Sequence, residues 1–172
     1  TKVRIGCCIF VLMENIFTDD YFMKKALQEA EIAFEKGEIP VGAVIVIDNR
    51  VIARTHNLTE LLHDVTAHAE MQAITSAANF IGGKYLKDCT LYVTLEPCTM
   101  CVGALVHARI SRVVFAATEP KSGSLVSARR LLEIGYYNHL FVFEGGLLAD
   151  EASKMLSDFF RGRREAKKVS PV

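Results

Sequence analysis

Two short segments carry residue types that could do chemistry: His68-Ala69-Glu70, and Pro97-Cys98 with Cys101 three positions on. Cys98 and Cys101 stand at the start of an expected helix, so both sulfurs share one face, and the positive end of the helix dipole favours thiolates. Thiolates at this spacing hold metal; a redox dithiol or two buried cysteines are the competing readings. A tetrahedral zinc needs more than two ligands, and His68, which also opens an expected helix, supplies a third. Glu70 follows at i+2, about 200° round an ideal helix, so it flanks the ion only if the helix start departs from ideal geometry. Three protein ligands, an open fourth position and a nearby carboxylate are what zinc hydrolysis needs. The ligands fix the metal, its water loses a proton more easily, and Glu70 takes that proton and delivers it to the substrate. A structural zinc site would close with a fourth Cys or His, for which Cys89, at a strand start, is the nearby spare.

These segments must be positioned by a fold. After Thr18, Phe22, Ala26, Ala30 and Ala33 recur at helical spacing, with Asp19 and Asp20 in the first turn and Gly37 as the stop. The β-branched run "VGAVIVID", the polar turn "DNR" and "VIARTHN" predict a hairpin. Residues 68–78 predict a helix, "CTLYVTL" a buried strand, and a further helix is expected from about Pro97, with the proline in its first turn. "SRVVFAAT" and "HLFVFEG" read as strands with a short helix, "SARRLLEI", between them. A closing helix from Asp150 to about Lys168 is expected to be interrupted by Gly162. This order predicts a helix-covered, mainly parallel five-stranded sheet.

At 172 residues and 51% hydrophobic, the chain can bury one core but not two comfortable ones, so a single domain over 13–172 is expected. Lys plus Arg and Asp plus Glu each total 20, so bulk charge announces neither a nucleic acid nor a membrane. Five cysteines without the spacing of a disulfide scaffold point to a reducing compartment, hence the cytoplasm. The opening "TKVRIGCCIFVL" is too short for a membrane span and lacks a cleavage site. Met13 is the better start, and residues 1–12 are read as a non-native or disordered extension without a function.

The pairing of "HAE" with "PCTMC" resembles the signature of the zinc-dependent cytidine and adenosine deaminase superfamily. From about Phe17 to Lys168, "IPVGAVIV", "TAHAEMQAI", "TLYVTLEPCTMCVGALVHARISRVVF" and "GGLLADEASKMLSDFFRGRR" resemble the bacterial tRNA-specific adenosine deaminases. The resemblance implies a three-layer α/β/α cytidine-deaminase-like fold, a mixed five-stranded sheet covered by helices. It also implies one zinc per subunit on His68, Cys98 and Cys101, Glu70 as proton shuttle, and a homodimer. It places Asn57, whose carboxamide offers donor and acceptor, against the base, and the backbone around Ala69 and Pro97 in the pocket. Without the resemblance, Asn57 could merely turn the chain.

The implied reaction converts the wobble adenosine (34) of a tRNA anticodon stem-loop to inosine: water attacks C6, and Glu70 protonates N1 and then the departing amine. In the closing helix, Phe159, Phe160, Arg161, Arg163, Arg164, Lys167 and Lys168 form a basic and aromatic patch suited to RNA, with one Phe in the core and the other facing substrate. A solvated helix end is the competing reading. Two positions depart from the family pattern: Val65 where Pro is usual before "TAHAE", and Glu119 where Asp is usual near the RNA sugar, in a segment that includes Lys121. A guanine or cytosine deaminase acting on a free base, and a non-catalytic RNA-binding subunit of the same fold, are the alternatives.

Overall fold

The computed structural model describes residues 16–169; the extension at 1–12, with Cys7 and Cys8, lies outside them. Helix α1, Asp19–Glu35, is capped by the Thr18 hydroxyl, which accepts the Tyr21 amide at 3.2 Å, and its acidic first turn complements the helix dipole. It buries Phe22, Met23, Ala26, Ala30 and Ala33, one stripe at helical spacing. Strands β1, Gly42–Ile47, and β2, Arg50–His56, pair antiparallel across a two-residue turn. Asp48 and Asn49 both take left-handed φ, 49° and 58°, as the tightest hairpin turns require. The order continues with α2, Ala69–Ile81; β3, Thr90–Leu95; α3, Thr99–Ala108; β4, Arg112–Ala117; β5, Val142–Gly145; and α4, Ala149–Val169.

The strands form one sheet in the order β2-β1-β3-β4-β5. Side chains alternate between its faces. Ala43, Ile45, Leu91, Val93, Val113 and Phe115 bury against α2 and α3, while Val44, Val46, Tyr92, Val114 and Ala116 bury against α1 and Ala152 of α4. The result is the three-layer α/β/α arrangement expected from the resemblance. Gly42 lets α1 lie close on β1: a Cβ there would collide with the Ala26 carbonyl and the Ala30 amide. Across the sheet's lower edge, Arg112 reaches both oxygens of Asp19, at 2.8 and 2.7 Å, and Glu144 at 2.8 Å, tying β4 to α1 and β5.

The structure corrects four expectations. The sheet is mixed rather than mainly parallel: β1 is antiparallel to both β2 and β3, and only β3-β4 and β4-β5 are parallel. Instead of a helix over "SARRLLEI" there is a single 3-10 turn, Leu131–Glu133. The amides there are spent elsewhere, Ser127 on Glu96, Ala128 on the Gly123 carbonyl and Leu131 on that of Ser124, and Arg130 turns left-handed. Pro97 precedes the Cys98 cap and so lies outside the first turn of α3. Helix α4 runs unbroken through Gly162. Among the described residues, no helix is long and apolar enough to cross a membrane.

Candidate active site

His68 and Cys98 occupy equivalent places, the N-caps of α2 and α3, both with extended backbone and neither spending its side chain on the cap. Cys101 follows one turn into α3 and is fully buried. The His68 Nδ1 lies 3.8 Å from Cys98 Sγ and 3.6 Å from Cys101 Sγ, and the sulfurs are 3.7 Å apart. Zinc bonds of about 2.3 Å to sulfur and about 2.0 to 2.1 Å to nitrogen, at tetrahedral angles, separate two sulfurs by about 3.8 Å and sulfur from nitrogen by about 3.6 Å. The spacings of the three donor atoms therefore match three corners of a zinc tetrahedron, and among the described residues no fourth donor joins them; Cys89 is not in the group. Cys89 is instead buried in the core, which pushes its thiol up to about 11.

The thiols behave as a pair. A hydrogen bond from Cys101, set against burial and aided by His68, draws Cys98 down to about 4, and the same bond together with burial drives Cys101 up. The Cys98 sulfur in turn raises His68. His68, Cys98 and Cys101 could hold a cation at the centre, which would favour both sulfurs as thiolates. Glu70, second in α2, is buried beside them, and burial raises its carboxyl above the ordinary range, against the pull of its own amide and of His68. A carboxyl buried in this way beside the donor group is placed to exchange protons with a bound substrate. The i+2 difficulty disappears because His68 stands off the helix cylinder at φ −70°, ψ 154°, so the 200° separation of an ideal helix does not apply.

This cluster floors a cavity of about 600 Å³. Asn57, just after β2, lines the cavity: its Oδ1 accepts the Ala69 amide at 2.8 Å, and its amide nitrogen is left without that bond. One wall comes from Thr59, Glu60, His63 and Val65, another from Glu119 and Ser122, and a third from Leu156 and Phe160 of α4. Of the expected substrate contacts, Asn57, Glu119 and Phe160 line the cavity. The others do not. The Ala69 amide is spent on Asn57, the Pro97 carbonyl accepts Ser124, and the Lys121 amide donates to Glu119. Phe159 is buried edge-on to Phe34 and Phe160, and Arg161 pairs with Asp158.

Two groups went unread in the sequence. Glu38 is a buried carboxylate behind the 59–61 wall and Glu96 a buried carboxylate in the cavity lining beside Cys98, and the signal for both was an acid abutting an apolar strand run, in "GEIPVGAV" and "TLEPC". An acid so placed must find buried partners.

The MafB19-like deaminase family model matches residues 17–164. A tRNA-specific adenosine deaminase of Aquifex aeolicus is 50% identical over 145 residues, 84% of this chain and 95% of that one. The Bacillus subtilis tRNA-specific adenosine deaminase is 47% identical over 152 residues, 88% of this chain and 94% of its own. A solved structure from studies of A-to-I editing by tRNA:A34 deaminases superposes with a TM-score of 0.77 at 44% identity, covering 78% of this chain and 98% of that one. A Bacillus subtilis guanine deaminase follows at 0.57 and 36%, covering 70% and 72%. With that family model spanning 17–164 and relatives matched over most of both lengths, the chain belongs to the MafB19-like deaminases and, among them, to the tRNA-specific adenosine deaminase family.

Proposed function

We propose that the protein is a zinc-dependent hydrolytic deaminase converting adenosine 34 of a tRNA anticodon to inosine. The observation that carries this is the buried Glu70 carboxyl beside a three-donor group whose spacings match a zinc tetrahedron lacking one protein ligand. When bound, zinc supplies Lewis acidity that lowers the pKa of a water toward neutrality. His68, Cys98 and Cys101 hold the ion. Glu70 would take the first proton of the attacking water and deliver it to the purine N1, then carry the second, from the hydroxyl on C6, to the amine, which leaves as ammonia. The Asn57 amide nitrogen donates to an acceptor on the purine edge, and Leu156 and Phe160 pack the base once it is splayed from its loop. Arg164, Lys167 and Lys168, exposed on the last turns of α4, face the phosphates. Glu119 stands at the opposite wall, toward the flanking sugar.

The reading includes the homodimer implied by the resemblance, for which Ile134, Tyr136, Leu140 and Val142 offer exposed apolar surface, and a cytoplasmic setting among tRNAs. The test is incubation with an anticodon stem-loop bearing adenosine 34, beside free adenine, guanine and cytosine. Inosine in the stem-loop alone is expected. Guanine or cytosine turnover without stem-loop deamination would replace the reading with a free-base enzyme, and no turnover on any substrate would leave an RNA-binding subunit.

A further inference from the structure

Neither loop wall is part of a helix or a named strand, yet each is fastened to a single buried carboxylate. The Glu96 side chain collects four backbone amides from one loop. Its Oε1 accepts Leu125, Val126 and Ser127 at 3.0, 2.8 and 3.0 Å, and its Oε2 accepts Glu119 at 3.1 Å and the Ser127 hydroxyl. The same loop pairs with the metal-site strand end: Gly123 bridges Cys98, and the Ser124 amide donates to the Pro97 carbonyl at 3.0 Å. Gly123 is required there, because a Cβ would collide with the Glu96 carboxylate. Across the cavity Glu38 repeats the arrangement. Its Oε2 accepts the Thr59 hydroxyl and the Glu60 amide, both at 3.1 Å, and its Oε1 accepts the Leu61 amide at 2.8 Å. Both glutamates are almost fully buried, and neither pairs with a basic side chain among the described residues. Backbone amides do the work of counter-ions.

Resting on the proposed reaction, we propose that Glu38 and Glu96 are positioning residues that hold the two loop walls at the separation a splayed RNA loop needs. Their role is in substrate capture rather than in metal binding or proton transfer. Each removes the backbone freedom that its loop would otherwise surrender on binding, so its effect falls on KM.

The experiment uses the zinc-loaded protein and its Glu38→Gln and Glu96→Gln variants, reading amide hydrogen exchange, melting temperature, zinc content and stem-loop kinetics. In Glu96→Gln the carbonyl oxygen can keep the three amides on the Oε1 side, which turns the NH2 against Glu119. Exchange should therefore rise about tenfold at Glu119 while residues 125–127 stay protected. In Glu38→Gln the rise should fall on Glu60 or Leu61. Both variants should retain one zinc and the helix protection of the wild type, and raise KM for the stem-loop about tenfold with kcat within about twofold. Uniformly faster exchange with a lowered melting temperature, or a fall in kcat at unchanged KM, would overturn the proposal. Should either variant fail to fold, Thr59→Ala and Ser127→Ala each delete one donor and leave the carboxylate in place; unchanged KM and loop exchange in both would likewise overturn it. If the wild type does not deaminate the stem-loop, the functional reading fails separately, and the exchange pattern, which needs no substrate, decides whether these carboxylates hold the walls.

Discussion

At the floor of the cavity, His68 and Cys98 cap α2 and α3 and Cys101 sits one turn inside α3, so two helix starts fix three donor atoms. At the two loop walls, residues 59–65 and 119–127 lack such elements and lean on Glu38 and Glu96. The donors stand at or just inside the starts of helices packed on the sheet, whereas the two loop walls are held by scattered hydrogen bonds, of which those to one carboxylate each are the most concentrated. Chemistry that needs ångström precision is thus placed on helices. Recognition of a flexible polymer is placed on fastened loops.

The sharpest way to break this contrast is to disable the floor without moving it. Glu70→Ala should lower kcat about 10² to 10⁴-fold, the span of a general acid-base group, while zinc content and KM for the stem-loop stay close to wild type. Near-normal turnover would remove the proton-transfer role and with it the division of labour. Asn57 offers a smaller test, because its oxygen holds the buried Ala69 amide next to His68, while the residue also lines the cavity. Asn57→Ala should cost about 1 to 3 kcal/mol of stability by orphaning that amide, measurable as a lowered melting temperature. Asn57→Asp keeps the acceptor but loses the donor, so it should recover stability relative to Asn57→Ala while turnover stays low.

The floor was legible in the sequence and the walls were not, for reasons that lie in the range of the interactions. The spacing of Cys98 and Cys101 and the helix starts are local, and the donor group follows from them. The placement of Glu70 beside His68 was ambiguous only because helical geometry was extended one residue too far, onto a cap. Strand direction is not local. Nothing in "CTLYVTL" says that β3 runs antiparallel to β1, and the order of elements alone favoured a parallel sheet. The missing helix at "SARRLLEI" and the two wall carboxylates share one cause. Amides of 119–131 are claimed by Glu96, by the Pro97 carbonyl, by the Glu119 side chain and by carbonyls within the loop, and partners supplied from elsewhere in the fold outrank local helix propensity.

The wall built by α4 can be weakened electrostatically. Arg161 is tied to Asp158, and Arg163 stands 3.8 Å from Glu60, whereas no ion pair engages Arg164, Lys167 or Lys168 among the described residues. Replacing those three by Ala should raise KM for the stem-loop about tenfold at low salt and flatten its salt dependence, each lost phosphate contact removing about 0.7 from the logarithmic slope. Zinc content and kcat should not change. An equal loss of kcat would mean that α4 shapes the floor as well, which would blur the contrast.

The smallest expected effect is a pH dependence confined to one wall. Burial alone would raise the Glu38 carboxyl, but the amides of Leu61 and Glu60 and the Thr59 hydroxyl outweigh it and hold the group below its usual 4.5. A carboxyl depressed on folding stabilises the folded state at every pH above the unfolded value, and that contribution drains away as pH falls through the lower, folded value. The stability gap between wild type and Glu38→Gln should therefore be constant from neutrality down to about pH 5 and narrow below it, as read from denaturant midpoints. Exchange at Glu60 and Leu61 in the wild type should speed up over the same interval, after correction for intrinsic rates, ahead of any change in α2 or α3. A gap that widens on acidification would reverse the sign of the linkage. It would mean that Glu38 sits in the fold as a protonated acid, and that the wall it fastens depends on its shape rather than its charge.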